Sequence, residues 1–502
     1  MENNEQEIKL KKRRIPGKRE VVSVANLPVE KIEIPEQIIK EIAEIADETN
    51  VQIYLVGGYV RDYFLKRMRN DYDFTVIGDA ISFAQELAKR FKSKALVYDR
   101  FRTAMVPIDG IKCEFVGTRK EEYYEESRNP QVEEGTLDDD LRRRDFTINS
   151  LAAGINKDNY GIIIDLFHGK RDLDKRLLRT PLNPLTTLNE DPLRMMRAAR
   201  FAAQLGFSVA DDLFKSMKTL AHRIDIISQE RITEELMKIL ASKVPSIGLK
   251  ILNNTGILEL IFPEIGELSG VETVEVSDRM YGHKDVLLHT FKVVDKVAQE
   301  SDNIWLRFAA LVHDIAKPKT KKYIPGTGWT FHGHEELGAR WMERIFRQLK
   351  LPMEPLDYVE TLVRLHQRPM ALVDDGVTES AVRRLAFLAG DALADLFLLC
   401  RADITTTNPQ LSERYLNNYE IVFEKVLDVQ DKDKLREFQS PVRGDEIMEV
   451  TGLEPSRAVG FIKSWIEEAI LDGLIPNEHE PARAYFLEHK DEWMENINSL
   501  TS

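Results

Sequence analysis

The spacing of apolar and polar positions divides this chain into two unlike parts. Between about residue 51 and residue 165, apolar residues form short runs or alternate with polar residues, as they do in strands. Clear examples are VQIYLVGG, YDFTVIG and YGIIIDLF, and the helix-patterned stretch DAISFAQELAKRFK lies among them. This part of the chain therefore predicts a head built on a small mixed sheet.

Beyond about residue 181 the apolar positions recur at helical spacing, in segments such as IWLRFAALVHDIAK. The fold class predicted for the whole chain is thus α+β, with a small mixed-sheet head followed by a long all-α region. The predicted parts are a flexible N-terminal arm, a head, a helical neck, a helical body and a helical tail, over residues 1–32, 33–180, 181–270, 271–410 and 411–502.

Composition narrows the classes of protein that fit this pattern. The 502 residues carry a formal net charge of −14, so a polynucleotide would need a local basic surface. Only Cys113 and Cys400 are present, which excludes a disulfide framework and a cysteine zinc site. No apolar run reaches the roughly 18 residues of a membrane span, and the charged N-terminus lacks the apolar core of a signal peptide. We therefore expect a cytoplasmic protein without a membrane partner.

Two carboxylates in the head require an explanation. Asp71 and Asp73 are two residues apart in a predicted strand, so their side chains point to the same face. Two anions held this close are stable only with a cation between them or with a raised pKa. Oxygen ligands of this kind suit Mg2+, which completes its coordination with water and substrate phosphates. The alternative is a solvated Asp-x-Asp at the end of a strand.

The residues before this pair favour a phosphate ligand. Gly57 and Gly58 allow the backbone to approach a triphosphate closely, and Arg61 follows where it can bind phosphate oxygens. The chain contains neither a P-loop motif nor a G-x-G-x-x-G motif. Any phosphate site in the head is therefore of another type.

Four segments, in this order, resemble the motifs of the class II tRNA nucleotidyltransferases, the family of CCA-adding enzymes and bacterial poly(A) polymerases. They are LVGGYVRDYFL with DYDF, DDDLRRRDFTINSLA, IIDLFHGKRDLDKRLLRT and NEDPLRMMRAARFAAQLGF. With a C-terminal match beginning at VRGDEIMEV, the resemblance covers roughly residues 50–475. It implies a polymerase β-like head, Mg2+ as cofactor, and transfer of nucleotides from CTP and ATP to the 3′ end of tRNA without a nucleic-acid template.

The resemblance also implies roles for single residues. Arg144 matches a nucleotide contact of the second motif, and Asp145 is expected to organise the turn beside it. Glu114, on the predicted strand IKCEFVG, is a candidate third carboxylate at the metals.

The segment EDPLRMMRAAR predicts a base-selecting helix. Asp191 and Arg194 are three residues apart, so we expect them on one helix face. A carboxylate only accepts hydrogen bonds and a guanidinium only donates them, which matches the pairing edges of cytosine and adenine and mismatches those of guanine and uracil. Arg197 and Arg200 continue the spacing and are expected to hold the triphosphate, as the family resemblance implies. The alternative is a solvated or salt-bridged helix face.

A second candidate site lies in the predicted body, since six of the ten histidines fall between residues 283 and 366. Nitrogen and oxygen donors without thiolates suit Mg2+ or a transition metal in a hydrolytic site. The ordered series resembles an HD phosphohydrolase domain, which some bacterial members of the family use on phosphomonoesters and 2′,3′-cyclic phosphates. The predicted metal ligands are His289, His313, Asp314, His334, His366 and Asp403. The alternative is a set of hydrogen-bonded core histidines.

The sequence therefore predicts a Mg2+-dependent enzyme that extends the 3′ end of tRNA with CTP and ATP. A polar segment over residues 118–141, predicted to be mobile, has the length that favours complete CCA addition or A addition over CC addition. Three alternatives remain open at this point: an A-adding enzyme or poly(A) polymerase, an HD phosphohydrolase with a degenerate head, and a non-catalytic RNA-binding module.

Overall fold

The protein is described from a computed structural model. The described residues are 30–67, 72–99, 102–124, 127–270, 273–276, 279–282, 285–372, 379–406, 408–433 and 440–501. The chain forms two compact units. The first unit contains the residues up to Ile232 together with Lys250–Leu260, and the second contains Thr233–Leu249 together with Ile261–Ser502.

The first unit is built on a mixed sheet. Its strands are β1 (Gln52–Val56), β2 (Tyr72–Ile77), β3 (Leu96–Tyr98), β4 (Thr103–Ile108), β5 (Ile111–Gly117), β6 (Arg119–Tyr124), β7 (Ser127–Glu134), β8 (Leu151–Gly154), β9 (Ile163–Asp165), β10 (Leu177–Leu178) and β11 (Ser208–Val209). Within the described residues, seven of them form one sheet in the order β3–β4–β5–β2–β1–β8–β9. Strand β2 runs parallel to β5 and antiparallel to β1, which confirms the predicted mixed sheet.

Helices precede, interrupt and follow the strands of this sheet along the chain. Up to residue 266 they are α1 (Gln37–Glu48), α2 (Gly58–Phe64), α3 (Ala80–Arg90), α4 (Leu137–Arg142), α5 (Gly169–Asp174), α6 (Pro184–Glu190), α7 (Leu193–Leu205), α8 (Asp211–Leu220), α9 (Gln229–Leu240), α10 (Pro245–Asn254), α11 (Ile257–Ile261) and α12 (Pro263–Gly266). The Asp79 carboxylate starts α3 by accepting hydrogen bonds from the amides of Ile81 and Ser82.

The core of the sheet fixes which side chains face away from it. Phe74 of β2 and Phe115 of β5 are fully buried, and their rings stack with centroids 4.9 Å apart. Because side chains alternate along a strand, burying these two rings turns Asp73 and Glu114 to the opposite face. The apolar core thus decides where the carboxylates point.

Three local differences from the sequence predictions stand out. Ile32 is buried and its amide bonds to the carbonyl of Gly161, so the last residues of the predicted arm join the fold; residues 1–29 lie outside the described residues. The polar segment predicted as a mobile loop instead contains the β6–β7 hairpin and α4. A strand also occurs after residue 181, where β11 pairs in parallel with β10. Both strands are too short for an alternation of apolar and polar residues to show in the sequence.

The second unit is mainly helical. Its further helices are α13 (Val286–Glu300), α14 (Ile304–Val312), α15 (Lys317–Thr320), α16 (His334–Gln348), α17 (Leu356–Leu365), α18 (Glu379–Ala389), α19 (Leu393–Asp403), α20 (Pro409–Asp433), α21 (Gly444–Thr451), α22 (Arg457–Leu471) and α23 (His479–Thr501). Two hairpins, β12 (Thr273–Val276) with β13 (Arg279–Gly282) and β14 (Lys322–Ile324) with β15 (Gly328–Thr330), complete it. Among the residues described, no helix has both the length and the apolar character needed to cross a membrane.

Candidate active sites

A carboxylate pair lies at the centre of the head sheet. Strand register places Asp73 of β2 directly beside Glu114 of β5, on the same face of two parallel strands. Partial removal from water, followed by repulsion from the Asp73 carboxylate, raises the pKa of Glu114. A divalent cation between the two groups would relieve that repulsion, so the residues fit the predicted metal. Asp71, the other member of the predicted pair, lies outside the described residues.

Arg144 is anchored to the same face of β2. Its Nη2 donates to Oδ2 of Asp140 at 3.1 Å and to Oγ1 of Thr75 at 3.4 Å. Thr75 lies two residues after Asp73 and also donates to Asp140, at 3.1 Å. Burial would raise the pKa of Asp140, but the charges of Arg144 and Arg143 lower it. Asp140 is therefore a buried anion that positions Arg144. Asp140 is not among the residues predicted from sequence, although the run of three acids before three arginines carries the signal.

The first glycine of the Gly57–Gly58 turn is required by the space that Arg144 occupies. Gly57 has φ +63° and ψ −114°, a conformation that side chains with a Cβ rarely adopt. A Cβ atom at this position would lie 3.0 Å from Nη1 of Arg144. Helix α2 begins immediately afterwards at Gly58. The turn therefore brings the backbone and one predicted nucleotide contact close together.

Arg61 belongs to a hydrogen-bonded chain of polar groups. It forms a two-point contact with Asp62, with both distances at 2.8 Å, and donates from Nη1 to Oδ1 of Asn149 at 2.9 Å. Asn149 donates in turn to Asp145 at 3.0 Å, and Arg197 bonds to the other oxygen of Asp145 at 2.6–2.8 Å. Arg61 and Arg197, two predicted phosphate contacts, are thus joined through the buried carboxylate of Asp145. Asp145 is the residue predicted to organise this turn.

The electrostatics of Asp145 follow from this chain. Burial alone would raise its pKa, but the charge of Arg197 and the hydrogen bonds from Asn149 and Arg197 lower the pKa to about 2. Asp145 is therefore ionised at neutral pH and holds Arg197 in place.

The structure brings three of the predicted arginines to one aromatic ring. The guanidinium carbons of Arg61, Arg197 and Arg200 lie 5.3, 5.4 and 4.3 Å from the ring centroid of Phe201. Phe201 is buried and also contacts Phe146 edge to face, with centroids 5.8 Å apart. The ring thereby collects three positive charges, an arrangement suited to an anionic ligand.

The predicted placement of Asp191 and Arg194 on one helix face is wrong. Asp191 lies in the turn between α6 and α7, where its Oδ1 accepts from the amide of Leu193 at 3.2 Å. The reason is Pro192, because a residue before proline is disfavoured in helical conformation. Arg194 does lie in α7 and is buried; it donates to the carbonyls of Thr187 and Arg143 at 3.2 and 2.5 Å.

The second unit brings all six predicted metal ligands together. One group contains His289, His313 and Asp403, and the other contains Asp314, His334 and His366; within each group the ligand atoms lie within 4.8 Å of one another. Asp314 joins the groups: its Oδ2 lies 3.2 Å from Nε2 of His313 and its Oδ1 lies 3.2 Å from Nε2 of His334. The arrangement therefore offers two adjacent sets of three donors that share a carboxylate.

Hydrogen bonds orient the rings of this site. Nδ1 of His313, His334 and His366 faces the carbonyl of Ala310, Phe331 and Val363 respectively, at 2.7–2.8 Å. A carbonyl only accepts, so each Nδ1 carries a proton, and in the neutral ring that binds a metal each Nε2 presents a lone pair to the centre. Nδ1 of His289 lies 2.7 Å from the hydroxyl of Thr405.

Buried atoms at this centre fit a cation. Within the part of the chain that the structure describes, Nε2 of His313 and Oδ1 of Asp314 are buried without a hydrogen-bond partner. Nε2 of His334 and Oδ1 of Asp314 are both acceptors in this tautomer, and face each other at 3.2 Å. Burial lowers the pKa of His366 to about 3, whereas the Asp314 and Asp403 carboxylates overcome burial and raise the pKa of His313 to about 10. The site thus favours positive charge at its centre, and a divalent metal would supply it.

A cavity of about 320 Å³ opens beside this centre. Predicted metal ligands line this cavity, and so do side chains that could contact a substrate. Its lining includes His289, Asp403, Lys317, Phe331, Tyr415 and Tyr419.

Comparison with known proteins identifies the family. The family described as "Poly A polymerase head domain" matches residues 53–179, "Probable RNA and SrmB- binding site of polymerase A" matches 206–268, and "HD domain" matches 284–405. The Multifunctional CCA protein of Shewanella frigidimarina is 33% identical over 325 residues, which cover 63% of this chain and 74% of that protein. This chain belongs to the tRNA nucleotidyltransferase family.

Two further members of the tRNA nucleotidyltransferase family show its range. The A-adding tRNA nucleotidyltransferase of Geobacter sulfurreducens is 33% identical over 267 residues, which cover 52% of this chain and 30% of that protein. The structure of the Bacillus stearothermophilus CCA-adding enzyme in complex with CTP matches with a TM-score of 0.61 and 24% identity, over 93% of this chain and all of that one. The comparisons confirm the predicted α+β fold and the predicted transferase class.

Proposed function

We propose that this enzyme completes the 3′ end of tRNA by adding C, C and A from CTP and ATP without a nucleic-acid template. The Multifunctional CCA protein supports this reading, because the match covers 74% of its length. Addition of A alone is the second reading, supported by the A-adding relative.

In this reaction the 3′ hydroxyl of the tRNA gives up its proton to solvent, and its oxygen forms a bond to the α-phosphorus of the nucleotide. The bond from that phosphorus to the bridging oxygen breaks, and pyrophosphate leaves. Asp73 and Glu114, with Asp71, are the residues that would hold Mg2+. When bound, the metal stabilises negative charge on the phosphate oxygens.

The chain's own groups position the triphosphate. The backbone at Gly57 and Gly58 approaches it closely, and Arg144 is held there by the buried Asp140. Arg197 and Arg200, together with Arg61, supply positive charge from the group around Phe201. Because Asp145 and Asn149 already fix Arg61 and Arg197, these side chains lose little freedom when the nucleotide binds.

Base selection falls to Asp191 and Arg194. Although only Arg194 lies in α7, a carboxylate acceptor and a guanidinium donor that both reach the base would pair with the amino group and ring nitrogen of cytosine or adenine. Guanine and uracil present the opposite order and leave both protein groups mispaired. The site can therefore reject these two bases by up to ~10⁴-fold. Arg194 is 7% exposed, so a mispaired guanidinium there would be costly.

The observation that carries the proposal is the register that sets Asp73 beside Glu114, on the face of β2 to which Arg144 is anchored. The test is incorporation of each labelled nucleoside triphosphate into tRNA transcripts that end before the first C, after the first C and after the second C. CCA addition predicts C on the first two and A only on the third. Incorporation of A on the third transcript alone indicates the A-adding activity, and extended A tracts on all three indicate a poly(A) polymerase.

The six-ligand site supports a second activity, hydrolysis of a phosphate ester. The oxygen of a water molecule forms a bond to phosphorus, the ester P–O bond breaks, and the alcohol and phosphate leave. The convergence of six donor atoms on one buried centre carries this proposal. Hydrolysis of p-nitrophenyl phosphate, with Mg2+, Mn2+, Co2+ or Ni2+ added in turn, tests it. Asp314→Asn should abolish hydrolysis while Asp73→Ala leaves it unchanged.

A further inference from the structure

One segment of the second unit has an unusual charge. Residues 315–334 contain four lysines and not one aspartate or glutamate, in a chain whose net charge is −14. Most of this segment forms the β14–β15 hairpin and the short helix α15 before it. The chain therefore has a locally basic element, which is what a polynucleotide site requires in an acidic protein.

Both ends of this hairpin are attached to the six-ligand site. Before it, Nζ of Lys317 lies 2.7 Å from Oδ2 of Asp314. After it, the carbonyl of Phe331 accepts from Nδ1 of His334 at 2.7 Å. Lys317 also lies over the Phe331 ring, 5.6 Å from its centroid, and the two residues line the cavity beside the metal ligands. The segment 317–331, which contains the hairpin, thus begins and ends at the cavity beside the metal ligands.

The hairpin pairs lysines with aromatic rings. Nζ of Lys321 lies 4.5 Å from the ring centroid of Trp329, and Tyr323 meets the same ring edge to face at 5.4 Å. The neighbouring Lys322 is exposed, and Lys319 pairs with Glu267 at 3.1 Å. Aromatic faces that stack on bases, with cations that follow the backbone, are the elements of single-strand binding.

The geometry points to a single-stranded RNA site on this hairpin, defined by Lys321, Lys322, Tyr323 and Trp329, which delivers a terminal phosphate of the RNA to the six-ligand centre. This inference rests on the proposed phosphohydrolase function. Lys317 faces the cavity and contacts the terminal phosphate, while the hairpin binds the adjoining nucleotides. The substrate class is therefore an RNA strand that ends in a phosphate, and a free mononucleotide lacks the nucleotides that the hairpin would bind.

A kinetic comparison tests this site. Unstructured octaribonucleotides with a 3′-phosphate and p-nitrophenyl phosphate are offered to the full-length protein with the activating metal. Lys321→Glu/Lys322→Glu and Trp329→Ala should each raise KM for the oligonucleotide about tenfold and leave p-nitrophenyl phosphate hydrolysis within about twofold. The matched control is Lys425→Glu/Lys463→Glu, on helices α20 and α22, which changes the net charge by the same amount as the hairpin variant. It should leave the hydrolysis of both substrates unchanged. Equal KM values for the oligonucleotide in the control and hairpin variants would overturn the inference.

A second readout does not depend on catalysis. The same octaribonucleotide, with 4-thiouridine next to its 3′ end, is cross-linked to the full-length protein by near-ultraviolet light, and the modified peptides are identified by mass spectrometry. Cross-links within residues 315–334 that are lost in Lys321→Glu/Lys322→Glu support the RNA site on the hairpin, whether or not a phosphate ester is hydrolysed. Absence of hydrolysis would contradict the phosphohydrolase function alone. Cross-links found only outside residues 315–334 contradict the hairpin site. Equal displacement of the strand by a duplex competitor and by an unlabelled single strand also contradicts it.

Discussion

Glu114 stands beside Asp73 at the same register of two parallel strands, although 41 positions separate them in the chain. This neighbour gives the head a carboxylate across the sheet in addition to the predicted pair along one strand. Partial burial, followed by repulsion from the Asp73 carboxylate, raises the pKa of Glu114, and a cation between the two groups would relieve that repulsion.

Replacing Glu114 should weaken metal binding in the head. We expect Glu114→Gln to lower the rate of nucleotide incorporation about 100-fold at low Mg2+, with partial recovery as Mg2+ is raised, because one anionic ligand is lost. The matched control is Glu44→Gln, an exposed carboxylate of α1, which should keep the wild-type rate. Incorporation into tRNA measured over a Mg2+ series is the readout, and a Glu114→Gln curve that overlays the control would remove Glu114 from the metal site.

Two glycine substitutions separate backbone strain from displacement of Arg144. Gly57→Ala and Gly110→Ala both place a Cβ at positive φ, at +63° and +80°. Only at Gly57 would that Cβ meet Arg144, whereas at Gly110 no described residue has an atom within 4 Å of it. Each should lose about 1–3 kcal/mol of stability, but only Gly57→Ala should lower kcat/KM for the nucleotide, by about tenfold or more. Equal kinetic losses in the two variants would argue against this role of the contact.

The stability of the first unit should depend on the ionisation of Asp145. Its pKa is about 2 in the folded protein, lower than the ordinary value of 3.8. A lowered pKa adds stability that is complete above about pH 4 and is lost as the pH falls towards 2. The difference of nearly two pKa units corresponds to about 2 kcal/mol.

Asp145→Asn therefore should lower the free energy of unfolding by about 2 kcal/mol at pH 6, and by less at about pH 3. All five tryptophans lie between residues 305 and 493, in the second unit, so their fluorescence follows that unit while far-ultraviolet circular dichroism follows both. Urea unfolding should show the change by circular dichroism and an unaltered tryptophan transition. A difference that does not vary with pH would contradict the ion pair with Arg197.

Metal removal should destabilise the second unit. Chelation leaves the lone pairs around Asp314 without a cation, so we expect the unfolding temperature followed by tryptophan fluorescence to fall by several degrees and to recover when metal is restored. Asp314→Asn should abolish this response, since Asp314 joins both donor groups.

Metal content distinguishes one ion from two. His334→Gln should lower the bound metal measured by mass spectrometry to about half, because it affects only one of the two donor groups. His479→Gln, which changes an exposed histidine of α23, is the control and should retain the wild-type content. Unchanged metal in Asp314→Asn would exclude the site as described.

Several features of this protein could be predicted from local sequence because they depend on neighbouring residues. The alternation around Asp73 and Phe74 predicted both a strand and the face of its carboxylate, and the sheet agrees. The Asp109–Gly110 turn that joins β4 to β5 is also a local feature, because both residues have positive φ and an Asp-Gly pair accepts that conformation. The ordered histidines predicted a shared centre, and the six side chains do meet.

Other features depended on contacts between distant segments. The role of Asp140 in α4 arises from its contact with Thr75 of β2, which lies 65 positions earlier in the chain. Spacing alone predicted neither the shared carboxylate of Asp314 nor the ring of Phe201 beneath three arginines.

The sequence by itself therefore determined the fold class, the family and the chemical types of the site residues, because periodicity and motif order are properties of short stretches of chain. Tertiary structure decided which ionisable groups lie close enough to interact: Asp73 with Glu114, Arg144 with Asp140, and His313 with Asp403. The physical reason is that electrostatic coupling falls with distance and grows with burial, and both are set only when segments far apart in the chain pack together.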